Sequence, residues 1–497
     1  MNPTTVVIFV LYLAALLVIG LVVGRRRIRT PTDYFLAGRK VGPVALLFTL
    51  AATNFSAFFF FGFAGASFKI GYGYYGIMAV GTSLMALSFF FIGRRVWRAG
   101  KRFGLITPPE LFSVRYGSPM VRYVTLCAFV LFTIPYIATQ ITGGGIALES
   151  LTDKAVPYEL GAMLVTFVIS AYLLFGGMRS DIITDILQGA VMLVAALAGL
   201  GFVASGLGGL QRANEAALSN APELFSFPGG GGFITIQIWF SYLVLWMMCD
   251  PLFPHIFQRF YIARSEKALR FSMVAYPVVT MALFAFPVMV GVWGHASAGF
   301  SGAPDGILPF MVKENSPSLL YGLVMAGGFA ALMSTADSQL LVLSSMLTRD
   351  LCKTLFKGKL LRGRELKLGR LLVLLIAGIG LVIALLDLGS IFDILTRTTF
   401  TGLAVLFPAT IAALYWKRST AWGVASSILV GEVFYFTTFF LQEKGIMDGS
   451  WTFGFLPAIP VVLLSTMVLI SVSVLTRPPG KKRVDEFFKA VENGPSQ

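Results

Sequence analysis

Long apolar runs recur along this chain, broken by short polar stretches, and each run approaches the length of a bilayer-crossing helix. A hydrocarbon core of about 30 Å takes about 20 apolar residues of helix. Every amide inside that core has to be paired within its own segment, which makes such a run helical. The pattern predicts about thirteen spans, at 5–23, 43–68, 73–93, 121–147, 159–177, 183–206, 233–254, 271–297, 318–345, 371–387, 393–415, 419–441 and 454–476. The first run is too long for a leader peptide and lacks a small-residue cleavage site, so it is expected to be a span.

The basic residues alternate from side to side. On one side, taken as the outside, the connecting segments carry Lys69, Lys154, Arg212, Lys313 and Lys444, and the remaining Lys and Arg fall on the inner side. They include Arg25, Arg26, Arg27 and Arg29, the cluster from Arg94 to Arg102, the stretch from Arg259 to Arg270, and the loop from Arg349 to Arg370. The positive-inside rule then puts the N-terminus outside and the C-terminus in the cytoplasm of a plasma (inner) membrane. Composition agrees: 56% of residues are hydrophobic, 13% are charged and the mean hydropathy is +0.80, where a soluble chain carries about 25% charge. The net charge of +15 belongs to loops flanking apolar runs, so nucleic acid is not the expected partner. The expected partner is the bilayer, with the chain a monomer or weak oligomer. Three scattered cysteines and two histidines offer no thiol or imidazole metal set.

The fold class expected is an all-α integral membrane protein. Spans 2–6 and 7–11 each hold five helices, and an odd number inverts one group relative to the other. This divides the chain into a first helix and basic loop (1–42), a first repeat (43–206), an outer loop (207–232), a second repeat (233–415), two C-terminal helices (416–476) and a cytoplasmic tail (477–497). The 207–232 loop, with its four consecutive glycines, is expected to be flexible. The tail from Val484 is expected to be polar and mobile, and 349–370 to be a basic loop, partly an interfacial helix. No attached soluble domain is expected, which weighs against a non-transporting sensor.

Two spans are interrupted. One holds Ala51-Ala52-Thr53-Asn54 before an aromatic run, and the other holds Asp250-Pro251-Leu252-Phe253-Pro254, whose prolines remove amide donors. Unwound segments in corresponding places of two halves point to a transporter's central site. Ionisable groups at this depth cost about 2.5–3.5 kcal/mol on insertion scales, so Asp185, Asp250 and Asp337 stand out. Ser334, Asp337 and Ser338 share one helical face, and their hard oxygens suit an alkali cation. Ser and Thr in membrane helices also bond back to carbonyls one turn earlier or pack between helices, so the run by itself admits either role. Asp185 could instead pair with a nearby basic residue, and Asp250 with amides freed by the prolines. Asp393 and Glu432 lie near span ends and are expected to be solvated.

Four segments carry a resemblance. They are Asp33-Tyr34-Phe35-Leu36-Ala37-Gly38-Arg39; Gly176-Gly177-Met178-Arg179-Ser180 leading to Thr184-Asp185 and Gln188-Gly189; Pro254-His255-Ile256-Phe257-Gln258-Arg259-Phe260; and Ala330 through Asp350. Through them the chain resembles the sodium:solute symporters. The resemblance implies two inverted five-helix repeats like those of the amino-acid transporter LeuT, with extra helices, and sodium-driven uptake by alternating access rather than enzyme chemistry. It implies a common sodium site at Ala52, Phe55, Ala331, Ser334 and Thr335, with Phe55 serving through its carbonyl. It implies a second cation site nearer the cytoplasm at Asp185, Ser334, Asp337 and Ser338. Asp337 replaces a serine of other members, and a second carboxylate there would strengthen the site or let it take a proton. The implied co-transported ion is Na+, with H+ as the alternative through Asp337 and Asp185. Positions implied to face the solute are Ser56, Phe59, Gln140, Trp246 and Asp250. The solute is expected to be a carboxylate, an amino acid or a related metabolite. An acidic Asp250 would repel a carboxylate and suit an amine-bearing or polyhydroxylated one.

Overall fold

The computed structural model describes residues 3–24, 30–297, 299–352, 365–386 and 391–493. No strand forms among them; a single bridge joins Val41 to Ala263. The helices run α1 (Pro3–Gly24), α2 (Pro43–Asn54), α3 (Phe63–Ile70), α4 (Gly73–Ser88), α5 (Arg94–Phe103), α6 (Pro108–Tyr116), α7 (Pro119–Leu151) and α8 (Tyr158–Gly206). They continue with α9 (Leu210–Asn220), α10 (Ile236–Cys249), α11 (Pro254–Ile262), α12 (Glu266–Trp293), α13 (Ser318–Met346) and α14 (Glu365–Ala384). The last are α15 (Thr401–Tyr415), α16 (Ala421–Glu443), α17 (Ala458–Leu475) and α18 (Lys481–Asn493). Nine described helices are long and apolar enough to cross a membrane, or eleven if each of two bent pairs is one span. Two shorter apolar helices, Val7–Ile19 and Tyr158–Leu174, lie where the first and fifth spans are expected.

α13 is the axis of the bundle. Of the apolar stretch of α13, 89% is buried within the protein, against 33% for α17, so α13 is walled by protein while most of α17 lies on the outer surface of the bundle. Helix α13 packs on α8, α7, α1 and α14. Small residues permit these approaches, as membrane packing favours: a Cβ on Gly327 would lie 2.4 Å from Ala195, and one on Gly81 of α4 would lie 2.4 Å from the ring of Trp246 on α10.

The two bent pairs are the interrupted spans. α2 meets the segment Phe58–Ile70 at 62°, and α10 with its terminal turn meets α11 at 57°. At the second bend Phe253 is extended (φ −55°, ψ 123°), and Pro254 opens α11 where no amide is needed. A third departure is hidden inside α8. The chain stays helical on both sides of Gly177, but Gly177 itself has φ 56°, ψ −158°. This is a conformation essentially restricted to glycine, and it joins the two spans expected at 159–177 and 183–206.

Several expectations are corrected. Residues 207–232 are not a loose loop. They contain α9, whose Asn214 Oδ1 accepts from Tyr72 Oη (2.5 Å) and Trp293 Nε1 (3.0 Å), while Asn220 Nδ2 donates to the His295 carbonyl at 2.8 Å. The tail is not free either. α18 buries Val484, Phe487, Phe488 and Val491, and Arg115 stacks over the Phe488 ring at 5.1 Å. Its amphipathic spacing hides a second apolar face inside a polar composition. Arg397 belongs to the end opposite the basic loops, where it pairs with Glu443 at 3.2 Å beside Lys444. Glu432 is not solvated: both carboxylate oxygens are buried in α16 without a hydrogen-bond partner. Residues 353–364 of the expected basic loop, and the Asp393 side chain, lie outside the described residues.

The basic end is closed by ion pairs. Glu110 of α6 meets Arg349 at 2.8 Å, and Arg122 of α7 meets Asp350 at 2.6 Å. Thr107 Oγ1 also donates to Asp350 at 2.6 Å. The end of α13's span is thereby tied to α6 and α7.

Gly177 yields a direct expectation. A Cβ there would sit 2.6 Å from the Tyr34 ring and 2.8 Å from the Tyr34 carbonyl, whereas one on Gly104, also at positive φ (+69°), meets nothing within 4 Å. Gly177→Ala should therefore lower stability by more than the ~1–2 kcal/mol of a left-handed alanine alone, and Gly104→Ala by about that amount only. Thermal unfolding of the two variants in detergent checks the difference; equal midpoints would refute it.

Candidate functional site

α2 ends at Asn54 because the chain turns extended at Phe55 (φ −79°, ψ 102°). A helix end leaves its last carbonyls without amide partners, and in a membrane they must find others. They find α13. Ser334 Oγ donates to the Ala52 carbonyl at 2.7 Å, and Thr335 Oγ1 donates to the Thr53 carbonyl at 2.9 Å and lies 3.4 Å from that of Phe55. Both hydroxyls also reach the Ala331 carbonyl, at 3.1 and 3.2 Å. The three carbonyls of Ala52, Phe55 and Ala331 and the two hydroxyls thus converge on one spot, all buried. On the far side of the break the Ala57 amide donates to Gln140 Oε1 of α7 at 2.9 Å, and the Phe58 amide to Ser56 Oγ at 3.2 Å. Oxygen donors without formal charge suit a hard, weakly held cation such as sodium.

One turn toward the basic end lies a charged cluster. Carboxylate oxygens of Asp181, Asp185 and Asp337 fall within 4.8 Å of one another. Asp181 and Asp185 share a face of α8, four residues apart, and Asp337 projects from α13. The guanidinium of Arg259, from α11, enters among them. Its Nη2 reaches Asp181 at 2.6 Å, Asp185 at 3.1 Å, Ser338 Oγ at 2.5 Å and Thr53 Oγ1 at 2.9 Å. Asp337 accepts from Tyr172 Oη and from the Ser338 amide, each at 2.7 Å. Asp185 accepts from the hydroxyls of Thr49 and Thr53, and its Oδ1 has no partner. Three carboxylates face one guanidinium, an excess of two formal negative charges in a region closed to water. A buried arrangement of this kind holds together only through its hydrogen bonds and close ion pairs.

Between the two breaks is a small cavity lined by Asn54, Phe58, Phe59, Trp246, Asp250, Phe253 and further aromatic rings. It leaves about 20 Å³, room for about one water, so the rings have closed on one another. Of the residues expected to face a solute, Phe59, Trp246 and Asp250 are brought together here. Ser56 and Gln140 stand beside the break instead, their oxygens already taken by backbone amides.

Residues not singled out beforehand complete these sites. Asp181 carried a readable signal, since it precedes Asp185 by one helical turn in a membrane span. Thr53 and Thr49 follow the same spacing on α2. Arg259 and Tyr172 had no local signal. Arg259 looks like one more residue of the basic end, and its role depends on the bend that turns α11 inward.

The Sodium:solute symporter family pattern matches residues 34–431. The chain is 27% identical to the sodium/pantothenate symporter of Escherichia coli over 439 residues, 88% of this chain and 89% of that one. It is 29% identical to the osmoregulated proline transporter OpuE of Bacillus subtilis over 484 residues, 95% and 94% of the two chains. Among solved structures, the substrate-bound outward-open state of a Na+-coupled sialic acid symporter superposes with a TM-score of 0.78 over 97% of this chain and 99% of that one, at 19% identity. A nucleobase-cation-symport-1 transporter in a closed conformation gives 0.62 over 93% and 99%, at 14% identity. The fold is the LeuT-like bundle, the protein is a multi-pass membrane transporter rather than an enzyme, and the chain belongs to the sodium:solute symporter family, with sodium as the co-transported ion.

Proposed function

We propose that this protein imports a small organic solute with sodium by alternating access, and that the ion is held by the carbonyls of Ala52, Phe55 and Ala331 and the hydroxyls of Ser334 and Thr335. The observation that supports this is the convergence of those five oxygens from two separate elements. Without an ion the hydroxyls hydrogen-bond the carbonyls. With sodium bound they turn a lone pair to it, and the ion holds the α2 break against α13. Phe58 and Phe59 follow that break directly, so ordering it shapes the wall that meets the solute. Sodium thereby raises solute affinity, and the solute raises sodium affinity by the same factor. We place the basic end in the cytoplasm, so that the membrane potential adds about 2.3 kcal/mol per 100 mV to each inward sodium. Phe59, Trp246 and Asp250 contact the solute, while Ser56 and Gln140 act on it through the backbone they hold.

Replacing both hydroxyls by Ser334→Ala and Thr335→Ala removes two of the five oxygens. With about 1.5–3 kcal/mol for each contact to a charged group, the sodium concentration for half-maximal uptake should rise by about 100-fold or more. Sodium titration of uptake in proteoliposomes measures it, and an unchanged requirement refutes the site.

A second coupling is favoured by one specific observation, the three carboxylates set against one guanidinium. Such a cluster can take up a proton. If it couples, a pH gradient drives uptake in sodium-free medium and Asp337→Asn abolishes that component. If sodium couples alone, removing sodium stops uptake at every pH gradient.

A further inference from the structure

Asp250 raises a problem of charge that the protein does not solve internally. It is 1% exposed and stands at the C-terminal end of α10, where the free carbonyls of the helix add partial negative charge. Its neighbouring donors are neutral: the Cys249 thiol, 3.7 Å from Oδ1, and the Asn54 amide. Among the described residues it has no ion-pair partner. Arg259 cannot serve, because its guanidinium is engaged by Asp181 and Asp185. A buried carboxylate without a counter-charge costs several kcal/mol.

The walls of the same cavity are mostly aromatic rings. Trp246 and Phe400 stand 4.8 Å apart, Phe253 and Phe400 5.7 Å, Tyr136 and Phe253 5.4 Å, and Phe58 and Trp246 6.2 Å. These rings share the cavity wall with Asp250, and an aromatic wall beside a carboxylate attracts an organic cation and offers little to an anion. Among the described residues the polar side chains on the cavity wall are Asn54, Thr82, Tyr136, Trp246 and Asp250, and of these Asp250 alone bears a formal charge. The Trp246 indole N–H is buried without a partner, a donor left for an acceptor carried by the same solute.

We infer that the solute carries a cationic amine, a protonated or quaternary ammonium group, which pairs with Asp250 inside the ring wall of Tyr136, Trp246, Phe253 and Phe400. This rests on the proposal that the cavity between the two breaks is the solute site. The wall is contracted to about 20 Å³, so an ammonium group must part rings that sit on both breaks. Its entry therefore acts on the segment that also holds the sodium oxygens.

The test is thermal stabilisation of the purified full-length protein in sodium and in potassium buffer. The probes are glycine betaine, choline and L-proline, which bear ammonium groups, and pantothenate, a carboxylate without one. The expected result is a sodium-dependent shift with at least one ammonium-bearing probe and none with pantothenate. Asp250→Asn should raise the concentration for half the shift at least tenfold, and Phe400→Leu, which keeps a side chain of similar bulk but no π face, several-fold. The shift produced by sodium alone should survive Asp250→Asn. A pantothenate shift without any ammonium shift overturns the inference, as does silence from all three ammonium probes or an unaltered concentration in Asp250→Asn. Loss of the sodium-only shift in Asp250→Asn also overturns it, since Asp250 would then be an ion ligand. Persistence of that shift in the Ser334→Ala, Thr335→Ala double variant would count against the sodium site and leave the ammonium site standing.

Discussion

The lipid environment forbids an unpaired backbone amide or carbonyl, and this chain breaks two spans in spite of it. Everything that distinguishes the protein's centre follows from how those breaks are satisfied. At the first, α13 supplies two hydroxyls to the carbonyls, and α7 supplies the Gln140 oxygen to an amide. At the second, two prolines remove amide donors outright, so fewer groups need partners. The first break is held by exchangeable side-chain contacts that an ion can replace; the second is built into the covalent chain. That asymmetry is why the sodium site is proposed at the α2 break and not at the second.

The charged cluster beneath it joins the same parts by other means. Arg259 rides on α11, just past the second break, and its guanidinium contacts Thr53 on α2, Asp181 and Asp185 on α8 and Ser338 on α13. One side chain thus pins both broken spans to the two helices around which they would have to rock. Because α11 carries it, any motion at the second bend draws a cation out of a nest of carboxylates and leaves them in need of another. The ion pairs at Glu110, Arg122, Arg349 and Asp350 close the basic end below. Charge pairs, which can separate in water and re-form, thus tie the helices at that end together.

How far the primary structure discloses this depends on range. Span positions, the two breaks and the Ser334-Thr335 pair are local features, set by apolar length, proline and hydroxyl spacing. The order of side chains around Asp337 is not local. Its neighbours come from α8, α11 and α13, and Arg259 in isolation is one basic residue among many near a cytoplasmic-type loop. The misread segments have a related cause. α9 and α18 are polar in composition, yet each presents a narrow apolar face, such as Val484, Phe487, Phe488 and Val491, that matters only once a partner surface exists. Glu432 marks the opposite error: it stands at the middle of α16 and not near a span end, so its carboxylate does not reach water.

Coupling then reduces to a question of unsatisfied groups. The α2 break has carbonyls that a cation serves better than a hydroxyl proton, and the α10 end has a carboxylate that no side chain neutralises. Asn54, Phe58 and Phe59 of the first break line the same cavity as Asp250, so relief of one alters the surroundings of the other. Neither deficit is large enough to unfold the protein, because each is partly met by neutral donors such as Ser334, Thr335, Cys249 and Asn54. On the proposed reading each favours an occupied state, and the cavity they share carries that preference from one to the other. A bundle packed without these two deficits would be more stable and would have no reason to bind ion and solute together.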